Sequence, residues 1–552
     1  MPESSEIVKK FIKADMHITP QALEALRGQA DFPSAVEEVL TDLKKEPKKP
    51  PVVTEKVVSQ ILNPEESILS ESLLREPSEP QETTKIEETA ETTPISREET
   101  VSIKKPEPKI APEEAAKPPQ EELGPEVKIL QDSTGQSTSE GKIEDFVQVF
   151  RDRYERLSGI LEQREGFQEA IRINNIKNYE GERVKLIGMV MGRRETRKGD
   201  AKLIQLEDPT GRTTVYVKDS KRNKSLIEKI EEVVTDEVIC TEVQVPDSVR
   251  GDRRGPLVWG NDITWPDIPV PSSKTSDSRE EPLEEPVHVA LISDIHAGSK
   301  MFLDDVFRKF IKWIRGEVGS EEQRELASKV RYLLIAGDLV DGIGVYPRQQ
   351  EELDITDVYE QYEVVSDFLS QIPDRIKIIA IPGNHDAVRL AEPQPAISPE
   401  VASPLKEIGV KLVSNPSYIS LHGVKFLMYH GGGFDDLISS ISTLNREDAV
   451  EPMLRALKKR HLAPIYGEPM GGRTPIAPEE KDHLVIEDPP DVLHCGHLHV
   501  YGSGKYRGVI LINSATFQER TSYMKRLGVR PTPGIVPIVN LKTKGVRSIH
   551  FE

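Results

Sequence analysis

Five short apolar segments in the second half of the chain each run directly into a cluster of Asp, Asn, His and Gly residues. The segments span residues 287–292, 330–335, 376–381, 424–429 and 492–494. Each is a predicted buried strand, and ligands collect at the carboxyl ends of strands in open α/β folds. The five clusters are therefore expected to converge in space. Helical patterns between them, such as residues 302–315 and 358–371, predict a layered α/β domain over residues 285–552.

The residue types in these clusters indicate a metal site. Carboxylate, amide and imidazole ligands without thiolate suit borderline divalent ions such as Mn²⁺, Fe²⁺ or Zn²⁺, with Mg²⁺ also open. Two ions about 3.5–4 Å apart can clamp a phosphoryl group and lower the pKa of a bound water. We therefore expect a hydrolase of phosphate esters, with enough ligands for two ions that share one carboxylate. The candidate ligands are Asp294, His296, Asp338, Asn384, His430, His497 and His499.

Residues 141–270 predict a helix followed by a β-rich domain. An amphipathic stretch at residues 143–161 precedes short strands separated by turn signals. The predicted strands are 183–191, 202–207, 213–217 and 237–245. About five short strands in this length suit an OB-type β-barrel. Basic residues, among them Arg193 and Arg194, gather on its loops. Single-strand binding and a purely architectural role both stay open for this domain, because no series of aromatic stacking platforms accompanies the basic loops.

The first quarter of the chain predicts a small helical module over residues 1–45 and a disordered linker over residues 46–140. Ser34 is a candidate helix cap, with Glu37 three residues later and apolar residues at helical spacing after it. The linker holds 21 acidic residues, 11 basic residues and 13 prolines, and no Phe, Tyr or Trp. It cannot bury enough apolar surface to offset the entropy of ordering. The module is too small for chemistry and is expected to dock to a partner.

Charge and composition exclude several classes of protein. The net charge of −20 argues against adhesion to nucleic acid through bulk charge, so any DNA contact must be local. No apolar run reaches the roughly 18 residues that a membrane span needs. Cys240 and Cys495 lie far apart and outside any C-x-x-C pair, which argues against a disulfide scaffold or a thiolate zinc site. We expect a protein of the reducing cytosol without membrane association.

The order of the five clusters resembles the motif series of the calcineurin-like metallophosphoesterases. The matching residues are Asp294-x-His296, Gly337-Asp338, Gly383-Asn384-His385-Asp386, His430 and Gly496-His497-x-His499. An OB domain directly before such a domain is similar to the small subunits of replicative DNA polymerases. The eukaryotic versions of those subunits have lost the metal ligands, whereas every ligand position is filled here. The chain most resembles the small subunits of the archaeal family D DNA polymerases, over roughly residues 145–552.

The resemblance implies a role for each residue. It gives one ion to Asp294, His296 and His499, the other to Asn384, His430 and His497, and makes Asp338 the bridge. His385 is implied as the general acid that protonates a departing 3′-oxygen, with Asp386 orienting it. The implied activity is that of a proofreading 3′→5′ exonuclease with two divalent ions, Mn²⁺ foremost, which releases nucleoside 5′-monophosphates.

The resemblance also implies partners and a location. They are the large catalytic subunit of a two-subunit polymerase and single-stranded or mismatched 3′ ends of DNA, with a sliding clamp also open. The location is the archaeal cytoplasm, at the nucleoid.

Other interpretations remain open. A single Asp after a strand is more often a helix cap than a ligand, and a lone His is more often structural. Taken together, the residues favour a metal site over separate structural roles, because five of the 12 histidines occupy motif positions. A catalytically silent scaffold subunit is disfavoured by the complete ligand set. An independent metallophosphatase is disfavoured by the OB-like domain and by Asp386, where protein phosphatases of the superfamily usually carry Glu.

Three further segments have two interpretations each. A basic run ends in Lys458, Lys459, Arg460 and His461. It indicates either a solvated helix face or, together with Arg193 and Arg194, contacts to DNA phosphates. Glycines 431–433 suit either a close approach of a DNA backbone or a flexible turn. A second basic cluster suits contact with either DNA or a partner protein. Its members are Arg520, Lys525, Arg526 and Arg530.

Overall fold

The computed structural model describes residues 126–137, 139–249, 255–270, 285–466 and 474–551, the backbone at 251–252, and isolated positions before residue 54. The chain forms two compact units, Met1–Glu114 and Ala115–Glu552. In the first unit His17–Ile18 pairs in parallel with Val52–Val53. Four buried helical residues are described there, at positions within the predicted module: Leu26, Val36, Val39 and Leu43. The rest of the module and residues 54–125 of the predicted linker lie outside the described residues.

The predicted linker extends too far along the chain. Strand β1 (Val127–Gln131) pairs antiparallel with residues 417–421, and Ile129 lies opposite Ile419. The amide of Ser133 donates a 2.8 Å hydrogen bond to Ser414 Oγ. The prediction of disorder is therefore wrong from residue 126 onward. The composition of residues 46–140 hides this strand, because five strand residues are averaged with a long stretch rich in Pro and Glu.

A helix and a closed sheet follow. The elements are α1 (Ile143–Glu162), β2 (Arg183–Glu195), β3 (Ala201–Asp208), β4 (Gly211–Lys218), α2 (Lys224–Glu231), β5 (Val238–Gln244) and β6 (Gly255–Thr264). In the described residues the sheet has six strands, in the order β4-β3-β2-β5-β6 followed by the two-residue strand Gly251–Asp252, whereas the sequence predicts about five. Neighbouring strands are antiparallel, and β4 also pairs with β6 in parallel, which closes the barrel. The OB-type assignment stays a prediction.

Helix α1 joins the barrel to the rest of the unit. Its apolar residues Tyr154, Leu157 and Leu161 recur at helical spacing and are buried in one cluster with Cys240 of the barrel and Val485 beyond it. Burying a side chain of this size stabilises the fold by about 1.5–3 kcal/mol. The barrel is therefore fixed to the C-terminal domain by a shared core.

The C-terminal domain contains two six-stranded sheets. Its elements are β7 (His288–Ile292), α3 (Asp304–Ile314), α4 (Glu321–Ser328), β8 (Val330–Ala336), α5 (Val358–Leu369), β9 (Lys377–Ile381), α6 (Ser403–Glu407), β10 (Lys411–Leu412), β11 (Ser417–Leu421), β12 (Val424–Met428), α7 (Gly433–Ser440), α8 (Val450–Lys459), β13 (Val492–Cys495), β14 (Tyr501–Tyr506), β15 (Val509–Ser514), α9 (Ser522–Leu527), β16 (Ile535–Asn540) and β17 (Val546–His550). The first sheet has the order β10-β9-β8-β7-β16-β17, and the second, which β1 joins at its edge, has the order β14-β15-β13-β12-β11-β1.

The two sheets pack face to face, with helices on both outer surfaces. In β7, Val289 and Leu291 enter the core between the sheets, whereas Ala290 and Ile292 pack towards the helices. Side chains alternate across a strand, so a strand buried on both faces needs an unbroken apolar run. This explains the five apolar segments of the sequence. The parallel pairs β7–β8–β9 and β12–β13 bring the carboxyl ends of these strands to one edge of the sandwich.

Candidate metal centre

The five polar clusters meet at one edge of the two sheets, as their positions after strands predict. Five of the seven candidate ligands have a positive φ of 51–68°: Asp294, His296, Asp338, His497 and His499. Such backbone angles are uncommon outside glycine and cost free energy, of the order of 1–3 kcal/mol each. Hydrogen bonds between the loops hold this backbone, including those from the amides of Asp294 to Gly337 O at 2.9 Å and of Ile295 to Asp338 O at 2.8 Å. The strained turns bring His296, Asp338, His497 and His499 into the lining of one cavity, and Asp294 Oδ1 lies 3.3 Å from His499 Nε2.

Three glycines of the motifs are required by close packing. A Cβ on Gly383 would lie 2.1 Å from Asp338 Oδ1, and one on Gly496 would lie 2.4 Å from Asp294 Oδ2. A Cβ on Gly337, where φ is +90°, would lie 2.6 Å from His430 Nδ1. Any side chain at these positions would displace a candidate ligand, so glycine is part of the site.

The first group of ligands is buried and dense. The ligand atoms of Asp294, His296, Asp338 and His499 all lie within 4.8 Å of one another. His296 Nε2 is 3.1 Å from His499 Nε2, and His499 Nε2 is 3.3 Å from Asp294 Oδ1. His296 Nε2 is also 3.6 Å from Asp338 Oδ2.

The second group lies on the other side of Asp338. His430 Nε2 is 3.3 Å from Asp338 Oδ2 and 3.0 Å from Asn384 Oδ1. His497 Nδ1 is 2.9 Å from the same Asn384 oxygen. Asp338 is thus the carboxylate that both groups share, which is the arrangement that the motif assignment requires.

The chemistry of these atoms fits divalent cations. His296 Nδ1 donates to Asp341 Oδ1 at 2.9 Å and His430 Nδ1 to the Ala336 carbonyl at 2.8 Å. A neutral imidazole with its proton on Nδ1 carries a lone pair on Nε2. In that tautomer the Nε2 atoms face carboxylate and amide oxygens, so acceptors face acceptors. A positive charge among them is needed to offset this repulsion, and imidazole, carboxylate and amide oxygen suit Mn²⁺, Fe²⁺ or Zn²⁺.

Two pKa shifts reflect the same need for positive charge. Burial alone would raise the pKa of Asp338, but His430 and His385 hold it well below its usual range. Burial would also lower the pKa of His430, but Asp338 and Asp294 raise it to about 10. Asp338 is therefore anionic at neutral pH, and the site holds a cation beside it, either a proton on His430 or a metal ion.

His385 lies at the rim of the site and is held by groups other than Asp386. Its amide donates to Asp338 Oδ1 at 2.8 Å and its Nδ1 to the Asp341 carbonyl at 2.7 Å. The Asp386 carboxylate instead accepts from the amide of Gly383 at 2.8 Å and from Tyr362 Oη at 3.0 Å. The prediction that Asp386 orients the His385 ring is therefore wrong. Asp386 is buried and fixes the loop that carries Asn384; burial and the neighbouring Asp338 raise its pKa to about 7.

Two carboxylates that support the candidate ligands are absent from the sequence prediction. Asp341 bonds His296, and it accepts from Gln349 Nε2 and Gln518 Nε2, each at 2.9 Å. Asp435 Oδ2 lies 3.5 Å from His497 Nε2. Asp341 is three residues after Asp338 in the same loop. A search for polar residues within three positions of each candidate ligand therefore finds Asp341, whereas Gln349, Gln518 and Asp435 require the tertiary structure.

The predicted DNA contacts at the end of α8 face the protein interior. Lys459, Arg460 and His461 are each no more than 3% exposed. Lys459 Nζ pairs with Glu237 Oε2 of the barrel at 2.6 Å, and His461 Nε2 lies 2.9 Å from Asp482 Oδ2. The prediction that these three residues contact DNA is therefore wrong. A dense basic run resembles a phosphate-binding face in the sequence, but here it neutralises carboxylates at the contact between the barrel and the C-terminal domain.

The other three predicted DNA contacts are Lys458, Arg193 and Arg194. Lys458 Nζ pairs with Glu232 Oε2 at 2.9 Å and lies 4.0 Å from the ring centre of Trp265. Arg193 donates to the carbonyls of Ile230 at 3.0 Å and Ser440 at 2.6 Å. Both side chains have partners within the protein but are still partly exposed, at 24% for Lys458 and 29% for Arg193, so their contact with DNA stays a prediction. Arg194 lines a small surface pocket on the barrel, and its role in DNA binding stays a prediction.

The glycines after His430 have a packing role. A Cβ on Gly433 would lie 2.4 Å from the Cβ of Ala463, and one on Gly431, where φ is +127°, would lie 3.0 Å from the Cβ of His497. Gly433 opens α7, which packs into the core beneath the second sheet. These contacts explain the glycines without a DNA backbone nearby.

Residues 289–502, which contain all five clusters, match the family profile of the B subunits of DNA polymerases alpha and epsilon. This part of the chain is thus similar to the polymerase B-subunit class. Among curated proteins, the DNA polymerase II small subunit of Methanothermobacter thermautotrophicus is 45% identical over 413 residues, covering 75% of this chain and 80% of that protein. The protein of that name from Archaeoglobus fulgidus is 42% identical, covering 75% and 78%. The chain belongs to the family of archaeal DNA polymerase II small subunits, the small subunits of family D DNA polymerase.

Among solved structures, one described as a novel archaeal phosphodiesterase aligns with 48% of this chain and 99% of its own, at 16% identity and a TM-score of 0.24. Structures of the OBody type, which bind hen egg-white lysozyme, align with 17% of this chain at TM-scores of 0.15. In the part of the chain that the structure describes, none of the helices combines the length and the apolar character that crossing a membrane requires.

Proposed function

We propose that this polymerase small subunit is itself a 3′→5′ exonuclease that hydrolyses the terminal phosphodiester of a DNA strand with the help of two divalent ions. The observation that carries the proposal is the set of six side chains arranged in two groups around a seventh, Asp338. His296 Nε2 and His430 Nε2 lie 3.6 and 3.3 Å from the same oxygen of that carboxylate. A catalytically silent scaffold gives no reason for strained backbone angles at five of the seven positions.

Asp294, His296 and His499 would hold one ion, Asn384, His430 and His497 the other, and Asp338 both. When bound, two such ions lower the pKa of a water and offset the charge that develops on the phosphoryl group. Mn²⁺ is the ion that we propose, and Fe²⁺, Zn²⁺ and Mg²⁺ are alternatives for the same ligands.

His385 would supply the proton that the leaving group needs. Its Nδ1 is occupied by the Asp341 carbonyl, which leaves Nε2 as the nitrogen available to a substrate, and the side chain lines the cavity that contains the ligands. A general acid must lie within hydrogen-bond reach of the atom that it protonates. The P–O3′ bond breaks, oxygen from water joins phosphorus, and the 3′-oxygen of the penultimate nucleotide takes the proton from His385.

The family also indicates partners. The curated relatives are named as small subunits of DNA polymerase II. We therefore propose that this chain assembles with a large catalytic subunit and acts on single-stranded or mismatched 3′ ends. A sliding clamp as a third partner and the archaeal nucleoid as the location remain predictions from the resemblance.

The proposal is tested with the purified full chain, alone and together with its large subunit. With Mn²⁺, a 5′-labelled single strand should shorten stepwise from its 3′ end and release nucleoside 5′-monophosphates. No shortening in either form would favour the scaffold role. Hydrolysis of p-nitrophenyl phosphate without any shortening of DNA would favour an independent phosphatase.

Two variants connect the activity to the site. Asn384→Ala removes an oxygen 3.0 Å from His430 Nε2, and His385→Ala removes the proton donor. Each should reduce the rate at least a hundredfold, the usual size of a general acid's contribution, while the fold is kept. His550→Ala, at an exposed position on β17, is the matched control and should leave the rate unchanged. Equal rates for all three variants would refute the assignment.

A further inference from the structure

One wall of the cavity beside the candidate metal ligands is formed by residues that are not themselves candidate ligands. The cavity measures about 440 Å³, within the usual range for small-molecule sites. Its lining also includes Tyr346, Tyr523 and Leu527. We call these three residues the tyrosine wall. The phosphoesterase chemistry proposed above uses none of them.

The tyrosine wall begins directly beside the proposed general acid. The ring centres of Tyr346 and His385 are 6.2 Å apart, and those of Tyr346 and Tyr523 are 5.7 Å apart with their planes only 25° from parallel. The three rings therefore form a continuous path from the reacting position to the outer part of the cavity.

The outer part of the tyrosine wall is exposed. Tyr523 and Leu527 are each 39% exposed, and Leu390 on another rim of the cavity is 60% exposed. Exposed apolar surface that is grouped in a cavity marks a binding site more often than isolated exposed residues do. An aromatic ring beside a phosphodiester site matches the flat, apolar face of a nucleobase.

Charge on the same helix points to nucleic acid rather than to an uncharged aromatic compound. Helix α9 carries Tyr523 and Leu527, and on it or just beyond it Lys525, Arg526 and Arg530 are exposed. The Arg526 guanidinium lies 5.7 Å from the ring centre of Tyr523. These cations belong to the second basic cluster of the sequence, and they lie where a strand that leaves the cavity would carry its phosphates.

We propose that the tyrosine wall binds the base of the penultimate nucleotide, the one whose 3′-oxygen departs. This inference rests on the proposed exonuclease function. His385 gives its proton to that oxygen, so the sugar and base attached to it lie on the side of His385, and this is the side on which Tyr346 and Tyr523 lie. The terminal base, whose phosphate is attacked, lies on the other side.

Abasic sites placed one at a time in a single strand test this placement. With the full chain and Mn²⁺, an abasic site at the penultimate position should lower kcat/KM roughly tenfold, the loss expected for one base–aromatic stack. An abasic site at the terminal position should have a smaller effect. A larger effect at the terminal than at the penultimate position would overturn the placement.

Variants assign the effect to the tyrosine wall. Tyr523→Ala should lower kcat/KM for the normal strand to the value for the penultimate abasic strand and make the enzyme insensitive to that abasic site, whereas Tyr523→Phe should behave like the unchanged protein. Tyr359→Ala, which alters a tyrosine that is 55% exposed and does not line the cavity, is the control and should change nothing. An equal loss on normal and abasic strands for Tyr523→Ala would overturn the proposal.

A binding measurement separates this proposal from that of hydrolysis. It uses anisotropy of a 5′-fluorescein single strand with the His385→Ala protein and Mn²⁺. Adding Tyr523→Ala should weaken binding of the normal strand roughly tenfold and leave binding of the penultimate abasic strand unchanged. If the unchanged protein hydrolyses no DNA while the His385→Ala protein binds in a base-dependent way, the exonuclease proposal is refuted and the tyrosine wall is retained. Hydrolysis or binding without dependence on the penultimate base would refute the tyrosine wall alone.

Discussion

Asp341 Oδ1 lies 2.9 Å from His296 Nδ1, and this contact fixes which nitrogen of His296 faces the other candidate ligands. The same carboxylate accepts from Gln349 and Gln518, so its own position is fixed as well. A partner of this kind on a metal-binding histidine typically changes metal affinity 10–100-fold.

Asp341→Asn should therefore weaken Mn²⁺ binding about 10–100-fold, because the neutral amide oxygen is a weaker acceptor than the carboxylate for the proton on His296 Nδ1. Titration calorimetry with Mn²⁺ measures the change. Asp305→Asn, at an exposed position on α3, is the control. Identical affinities for the two variants would show that Asp341 has no part in the site.

Gly383→Ala should abolish tight Mn²⁺ binding while the domain stays folded. The new Cβ would lie 2.1 Å from Asp338 Oδ1, so the shared carboxylate must move. Gly159→Ala in α1 is the control, because no atom lies within 4 Å of its Cβ and alanine is preferred in a helix by about 1 kcal/mol. Circular dichroism and Mn²⁺ titration of both variants check this prediction. Retained binding by Gly383→Ala would contradict the role of the glycine.

Lys459→Met should reduce stability by about 3–5 kcal/mol, since it leaves the buried Glu237 carboxylate without its partner. The Lys459–Glu237 pair is almost fully buried, at 1% and 0% exposure. Lys329→Met removes the exposed pair with Glu325 and should cost at most about 1 kcal/mol. Urea unfolding of both variants measures the difference. A Lys459 variant of normal stability but weakened DNA binding would restore the sequence-based prediction for the basic run.

The stability of the folded protein should fall in mild acid because of His461. Burial and Arg153 lower the pKa of His461 to about 4, and its Nδ1 accepts from the amide of Ala463 at 3.1 Å, a bond that protonation breaks. Between about pH 6.5 and 4 the unfolded chain binds a proton at His461 that the folded chain does not. The stability that neutral His461 contributes is therefore fully present above pH 6.5 and is lost as the pH falls towards 4.

A neutral replacement tests this sign. Melting temperatures of the His461→Gln protein should depend less on pH between 4 and 6.5 than those of the unchanged protein. The exposed His550→Gln is the control and should keep the original dependence. An unchanged slope for His461→Gln would show that another group titrates.

Sequence patterns predict the parts of this site that depend on local rules. Strands buried on both faces read as unbroken apolar runs, and the residues after them, such as Asp294 and Asn384, are brought to one edge by parallel pairing. The convergence of the seven candidate ligands follows from that rule. Their assignment to two ions comes from the family resemblance.

The errors share a physical cause, which is that side-chain partners distant in sequence leave no local pattern. Lys459 reads as a surface cation because its partner Glu237 is 222 residues away. Asp386 reads as the partner of its sequence neighbour His385, but its carboxylate binds Tyr362 and the Gly383 amide instead. β1 is short, and its pairing partner at residues 417–421 is far along the chain.

Anomalous diffraction from crystals soaked in Mn²⁺ tests the two-ion site most directly. We predict two peaks about 3.5–4 Å apart on either side of Asp338, one contacting Asp294, His296 and His499 and the other contacting Asn384, His430 and His497. A single peak, or none, at saturating Mn²⁺ would contradict a two-ion site.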